Sequence, residues 1–95
     1  MSRYSQGANF ERRVAKDLAE QGWFVVRSAG SHSPVDLIGL RQGEIILIQC
    51  KTDRRISKVA KAQLSALANE NQCQAKVAWR DGKNIQFMEI NDDNY

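Results

Sequence analysis

The sequence is short of the residues that build cross-linked or zinc-centred scaffolds: it has two cysteines, one histidine and one proline. Cys50 and Cys73 form no C-x-x-C pair and have no histidine nearby, which excludes a zinc module and points to two reduced, structural thiols. A leading apolar segment of the signal-peptide kind is missing, and no apolar run nears the roughly 18 residues that a membrane span needs. A soluble, cytoplasmic protein without a membrane partner is therefore expected. Internal repeats and low-complexity stretches are absent too, as is the aromatic motif of RNA-binding sheets.

What remains is an ordinary globular composition. In a chain of 95 residues, a hydrophobic fraction of 42% supports one domain, residues 1–95, with a modest core. Folded chains of this size still expose roughly 40% of the surface of the unfolded form, so a second copy would add useful burial and a homodimer is expected. The net charge of +3 is mild but uneven. Lys51, Arg54, Arg55, Lys58 and Lys61 face only Asp53 in one short stretch, and Arg3, Arg12, Arg13 and Lys16 make the beginning basic. Such clusters either bind a polyanion, most often nucleic acid, or form a solvated helix face.

The apolar pattern divides the chain into seven elements. Phe10, Val14, Ala15 and Leu18 recur at helical spacing between about Ser5 and Gln21, and Gly22 supplies a stop. Trp23–Ser28 and Val35–Leu40 read as strands on either side of a Gly/Ser loop. Arg41-Gln42-Gly43 reads as a turn into Glu44–Lys51, whose run is apolar on both faces and so predicts a central, doubly covered strand. Ser57 is a good N-cap for a helix to about Asn69, stepped by Val59, Ala60, Leu64 and Leu67. Ala75–Arg80 and Ile85–Ile90 flank the turn Asp81-Gly82-Lys83. The order αβββαββ predicts an α/β fold in which a mixed five-stranded sheet is flanked by helices.

Function is sought where a charge or amide stands in place of a hydrophobe, because burying an unpaired charge requires a compensating partner. Glu11 lies three, four and seven residues before Val14, Ala15 and Leu18, hence within the apolar stripe of the first helix. Its plainer reading is a carboxylate favoured near a helix start by the dipole. Asp36 interrupts a strand of Val, Leu and Ile on the face of Ile38 and Leu40; alternatively it begins or edges that strand with a solvated side chain. Gln49 and Lys51 share one face at the end of the longest apolar run while Cys50 faces the other way, unless the strand simply emerges into solvent there.

A hairpin between the second and third strands would bring Asp36 near Gln49 and Lys51. Hard cations such as Mg²⁺ take oxygen ligands, and Asp36, Glu11, the side-chain carbonyl of Gln49 and the backbone carbonyl of Cys50 would supply them. Lys51 would orient or help deprotonate the attacking water and offset phosphate charge, which is metal-assisted hydrolysis.

At these residues the sequence resembles the PD-(D/E)XK nuclease superfamily, and within it the archaeal-type Holliday junction resolvases, which also occur in viruses. The resemblance runs from Gly7 to about Thr52, through Gly7–Arg12, Gly22–Ser31, Val35-Asp36-Leu37-Ile38 and Ile48-Gln49-Cys50-Lys51. The string Val25-Val26-Arg27-Ser28-Ala29-Gly30-Ser31 is far more specific than the loose spacing of acids and lysine. The resemblance implies a restriction-endonuclease-like fold and a homodimer that cuts four-way DNA junctions in pairs with Mg²⁺ or Mn²⁺. It implies that Glu11 is an active-site residue, Asp36 a metal ligand and Lys51 catalytic. It also assigns Arg12 and Arg27 to activity or DNA contact and sets Ser31 beside the scissile phosphate. Gln49 departs from the pattern, since the family usually has glutamate there, and the loss of one charge should lower metal affinity unless another acid compensates.

Other polar residues have competing readings. His32 either touches the phosphate or has no catalytic part, and Gln63, near the second helix's apolar stripe, either aligns the site or bonds backbone. Lys58 and Lys61, with Arg54 and Arg55, would contact phosphates without sequence preference. Trp79 and Phe87 suit a strand core or dimer interface. Two rival functions remain: a nuclease of the same superfamily for flaps, ends or duplex, and a non-catalytic DNA-binding module whose metal site Gln49 has degraded.

Overall fold

Phe10, Val14 and Leu18, four residues apart, form the buried stripe of helix α1 (Arg3–Glu20). The helix stops where Gly22 adopts a φ of +92°. The Gly22 N–H donates to the Ala19 carbonyl and the Trp23 N–H to the Leu18 carbonyl, the paired bonds of a Schellman cap. The computed structural model describes residues 3–28, 33–52 and 56–90. After α1 come β1 (Phe24–Arg27), β2 (Leu37–Arg41), β3 (Glu44–Lys51), α2 (Lys58–Glu70), β4 (Gln74–Asp81) and β5 (Asn84–Glu89).

One sheet holds all five strands in chain order, antiparallel throughout except for the parallel pair β3 and β4, which α2 connects. The anticipated αβββαββ order and mixed sheet are both present, and β3 is central. Its alternate residues serve two cores: Ile46 and Ile48 pack with Phe10, Val14 and Leu18, whereas Leu47 packs with Leu64, Ala68 and Val77. Each helix thus covers one face, which is why β3 is apolar on both. Among the described residues no helix is long and apolar enough to cross a membrane.

Two expectations need correction. Gln63 and Val59 are exposed, because the buried stripe of α2 runs through Leu64, Ser65 and Ala68, about 100° away from Gln63. Asp36 lies at a bend just before β2 rather than inside the strand. Period two would place Val35 and Leu37 on one face, yet Val35 joins the α2 core and Leu37 the α1 core. The chain therefore crosses from one face to the other at Asp36, and its alternation with Ile38 and Leu40 does not extend back to that residue.

Candidate active site

Asp36 is fastened from three directions. Its N–H donates to the Ile48 carbonyl at 2.8 Å and its carbonyl accepts from the Ser28 N–H at 2.9 Å. Its side-chain Oδ2 accepts from the Cys50 N–H at 2.8 Å. The hairpin register runs from Arg41 opposite Glu44 to Leu37 opposite Ile48, so the next residues along are Asp36 and Gln49. That register depends on a two-residue turn in which both Gln42 and Gly43 have positive φ, the type I′ geometry suited to a twisted hairpin.

Burial raises the Asp36 carboxyl above the ordinary carboxylate range. The Cys50 N–H pulls it back, the Glu11 charge raises it and the Lys51 charge lowers it, so three of the expected residues act on one carboxylate. The Cys50 thiol belongs to the opposite face, against the α1 core. Burial and the charges of Asp36 and Glu11 push it far above the usual thiol range, so it stays protonated and is no nucleophile.

Gln49 is buried, and its Oε1 has no hydrogen-bond partner among the described residues. Leaving a buried acceptor unpaired costs about 1–3 kcal/mol, so such an atom calls for a physical explanation. A bound cation beside it is one, and neutral amide and anionic carboxylate oxygens are the donors a hard cation selects. The set is lean: among the described residues no group of three His, Cys, Asp or Glu side chains converges on a point. By alternation Gln49 and half-buried Lys51 share Leu47's face, and Asp36 stands at the crossing between that face and the one α1 covers.

Glu11 is half-buried at the margin of the α1 stripe, and Arg27 Nε lies 3.1 Å from its Oε1. Sequence reasoning flagged both residues but did not pair them. Their common position beneath α1 could have been found from the alternation of β1, where Val25 faces the α1 core and Arg27 follows two residues on. Arg12 is exposed and its Nη1 donates within the helix to Asn9 Oδ1 at 3.3 Å. Lys58 is exposed at the start of α2, and Lys61 is half-buried. Ser31, Arg54 and Arg55, like His32, lie outside the described residues.

A five-stranded α/β domain with an acid at the entry of β2 and a Gln-x-Lys at the end of β3 has the layout of a PD-(D/E)XK nuclease. The family model described as archaeal Holliday junction resolvase matches residues 2–94. Crossover junction endodeoxyribonuclease Hjc of Methanocaldococcus jannaschii is 43% identical over 53 residues, covering 56% of this chain and 39% of that relative. Less than two thirds of the curated relative is therefore spanned. The solved structure of Archaeoglobus fulgidus Hjc, a Holliday junction resolvase, superposes with a TM-score of 0.76 at 24% identity, covering 88% of this chain and 72% of that one. This last likeness establishes the fold. The chain belongs to the archaeal Holliday junction resolvase family, a family of metal-dependent nucleases.

Proposed function

We propose that this protein is a metal-dependent, structure-selective DNA endonuclease that resolves four-way junctions by paired nicks, acting as a homodimer in the cytoplasm. The observation that carries the reading is the buried Gln49 Oε1, unpartnered among the described residues, next in register to an Asp36 carboxylate under the influence of Lys51 and Glu11. Asp36, Gln49 and Glu11 would hold one Mg²⁺ or Mn²⁺, with the Cys50 backbone carbonyl as a further oxygen. Such an ion supplies Lewis acidity at the phosphoryl oxygen and a more acidic water.

The chain's own groups do the positioning. The Cys50 N–H fixes the Asp36 carboxylate and leaves its second oxygen for a ligand. Lys51 orients the attacking water and offsets phosphate charge. Arg12, Arg27, Lys58 and Lys61, with Arg54, Arg55 and Ser31, would contact the DNA backbone. Family membership suggests the substrate class.

A dimer is supported by an apolar strip that neither helix covers. Phe24, Val26, Ile38, Leu40 and Ile45 are 36–68% exposed on neighbouring strands. The pairs Phe24 with Leu40, Val26 with Ile38 and Leu40 with Ile45 put them on one face. Exposed, contiguous apolar surface of this kind marks an interface, and two-fold symmetry would present equivalent sites to two strands of a junction.

A second reading, a DNA-binding module without catalysis, is favoured by Gln49 and by the lean acid set. Comparing cleavage of a labelled four-way junction with that of linear duplex in Mg²⁺ separates the possibilities. Faster cleavage of the junction, with nicks on opposing strands, supports resolution; equal rates indicate a general nuclease, and binding without cleavage indicates the module.

A further inference from the structure

Glu11 has two claimants. It is half-buried beside the site, close enough for its charge to act on both Asp36 and Cys50, and yet its Oε1 is held by Arg27 Nε at 3.1 Å. A carboxylate neutralised by a guanidinium is a poorer ligand for a divalent cation, and the guanidinium itself repels that cation. With Gln49 uncharged, Asp36 would then be the one unneutralised acid of the ligand set. Arg27 also has a second partner to choose. It stands at the exposed end of β1, its contact to Glu11 uses one nitrogen, and phosphate offers the guanidinium the bidentate geometry it prefers. A partly exposed, single-contact ion pair is weak enough to exchange.

We propose that Arg27 is a positioning residue that holds Glu11 away from the metal in the free protein and hands it over when a DNA phosphate takes the guanidinium, so that the metal site is completed only on bound DNA. The proposal rests on the nuclease reading and deepens it. By linkage, DNA and metal then raise each other's affinity by the same factor. A weakly loaded free protein follows, which would restrain cutting before the substrate is seated.

The test is Mn²⁺ titration of the DNA-free protein, followed by the ion's paramagnetic resonance signal. Arg27→Gln should tighten Mn²⁺ binding about fivefold or more, the lower end of ordinary coupling between sites. Arg27→Lys, which keeps a competing charge, should not. The Arg27→Gln tightening should disappear in the Glu11→Gln/Arg27→Gln double variant, which separates release of Glu11 from the mere loss of a positive charge. Mn²⁺ binding that Asp36→Ala abolishes but Arg27→Gln leaves unchanged or weaker overturns the exchange and leaves the nuclease reading standing. Absence of saturable Mn²⁺ binding in every form overturns both. Circular dichroism of each variant confirms that the fold is retained.

Discussion

The Cys50 peptide N–H donates a 2.8 Å hydrogen bond to Asp36 Oδ2, tying the entry of β2 to the end of β3 across the hairpin. The bond spans the point where the chain changes faces, so one interaction both closes the strand pair and aims a carboxylate. Half-buried and only partly compensated, the Asp36 charge weakens the fold, a cost that the proposed ligand role would explain.

That cost has a sign. Because the folded protein raises the Asp36 carboxyl above its ordinary 3.8, the native state binds the proton more tightly than the unfolded chain. Stability from this group is therefore present at low pH and falls as pH rises through the window between 3.8 and the raised folded value. Asp36→Asn, which can still accept from the Cys50 N–H, should melt higher than wild type at neutral pH in chelator. The two should converge as the pH falls below that window. A lower melting temperature for Asp36→Asn at neutral pH would contradict the account.

Gln49→Glu restores the charge usual at this position and should tighten Mg²⁺ or Mn²⁺ binding by about tenfold, the effect of a modest gain in Coulomb attraction, while retaining cleavage. Calorimetric titration measures the affinity. An unchanged metal dependence would remove Gln49 from the ligand set.

Gly39 is a structural constraint rather than a catalytic one. A Cβ there would come within 2.8 Å of Ile46 Cγ2 and 3.1 Å of Trp23 Cε3. Trp23 is fixed in turn by the Arg41 guanidinium, stacked 4.2 Å from its ring centroid. Gly39→Ala should destabilise the fold by about 1–3 kcal/mol, the ordinary cost of overpacking a core. Urea denaturation gives the figure, and a neutral result would show that Ile46 can move aside.

Leu40→Asp places a charge in the middle of the apolar strip on β1 and β2. Sedimentation should show a dimer for wild type and a monomer for the variant, with the melting temperature of the monomer fold little changed. A wild-type monomer, or a variant that remains dimeric, would assign the interface elsewhere.

Much of this molecule was legible in its sequence, for reasons that can be located. The double apolarity of Glu44–Lys51 marked the central strand because two helices need two faces. Ser57 was recognisable as a cap, and its Oγ accepts from the Ala60 N–H at 3.0 Å. Asp36, Gln49 and Lys51 stood out as polar residues among hydrophobes. The register between them was not legible, since strand boundaries leave the Gln42-Gly43 turn open by one residue and only positive φ at both positions closes it. The bend at Asp36 was hidden because period two assumes an unbroken strand. Gln63 was misread because alanine and serine contribute little to a hydrophobic stripe, so the phase of α2 rested on Val59, which is exposed. The pairing of Glu11 with Arg27 joins elements 16 residues apart, and the alternation of β1 gives their shared face but not the contact.

Asp36, Gln49 and Lys51 are proposed to form a working metal-dependent nuclease centre. Its most direct test is single-turnover cleavage of a four-way junction in Mg²⁺ or Mn²⁺ by wild type, Asp36→Ala and Lys51→Ala, with junction binding measured in parallel. Wild type should make paired nicks, Asp36→Ala should not cleave and Lys51→Ala should be slowed about 10²–10⁴-fold, with binding retained in all three. Junction binding by wild type without cleavage in either metal would contradict it.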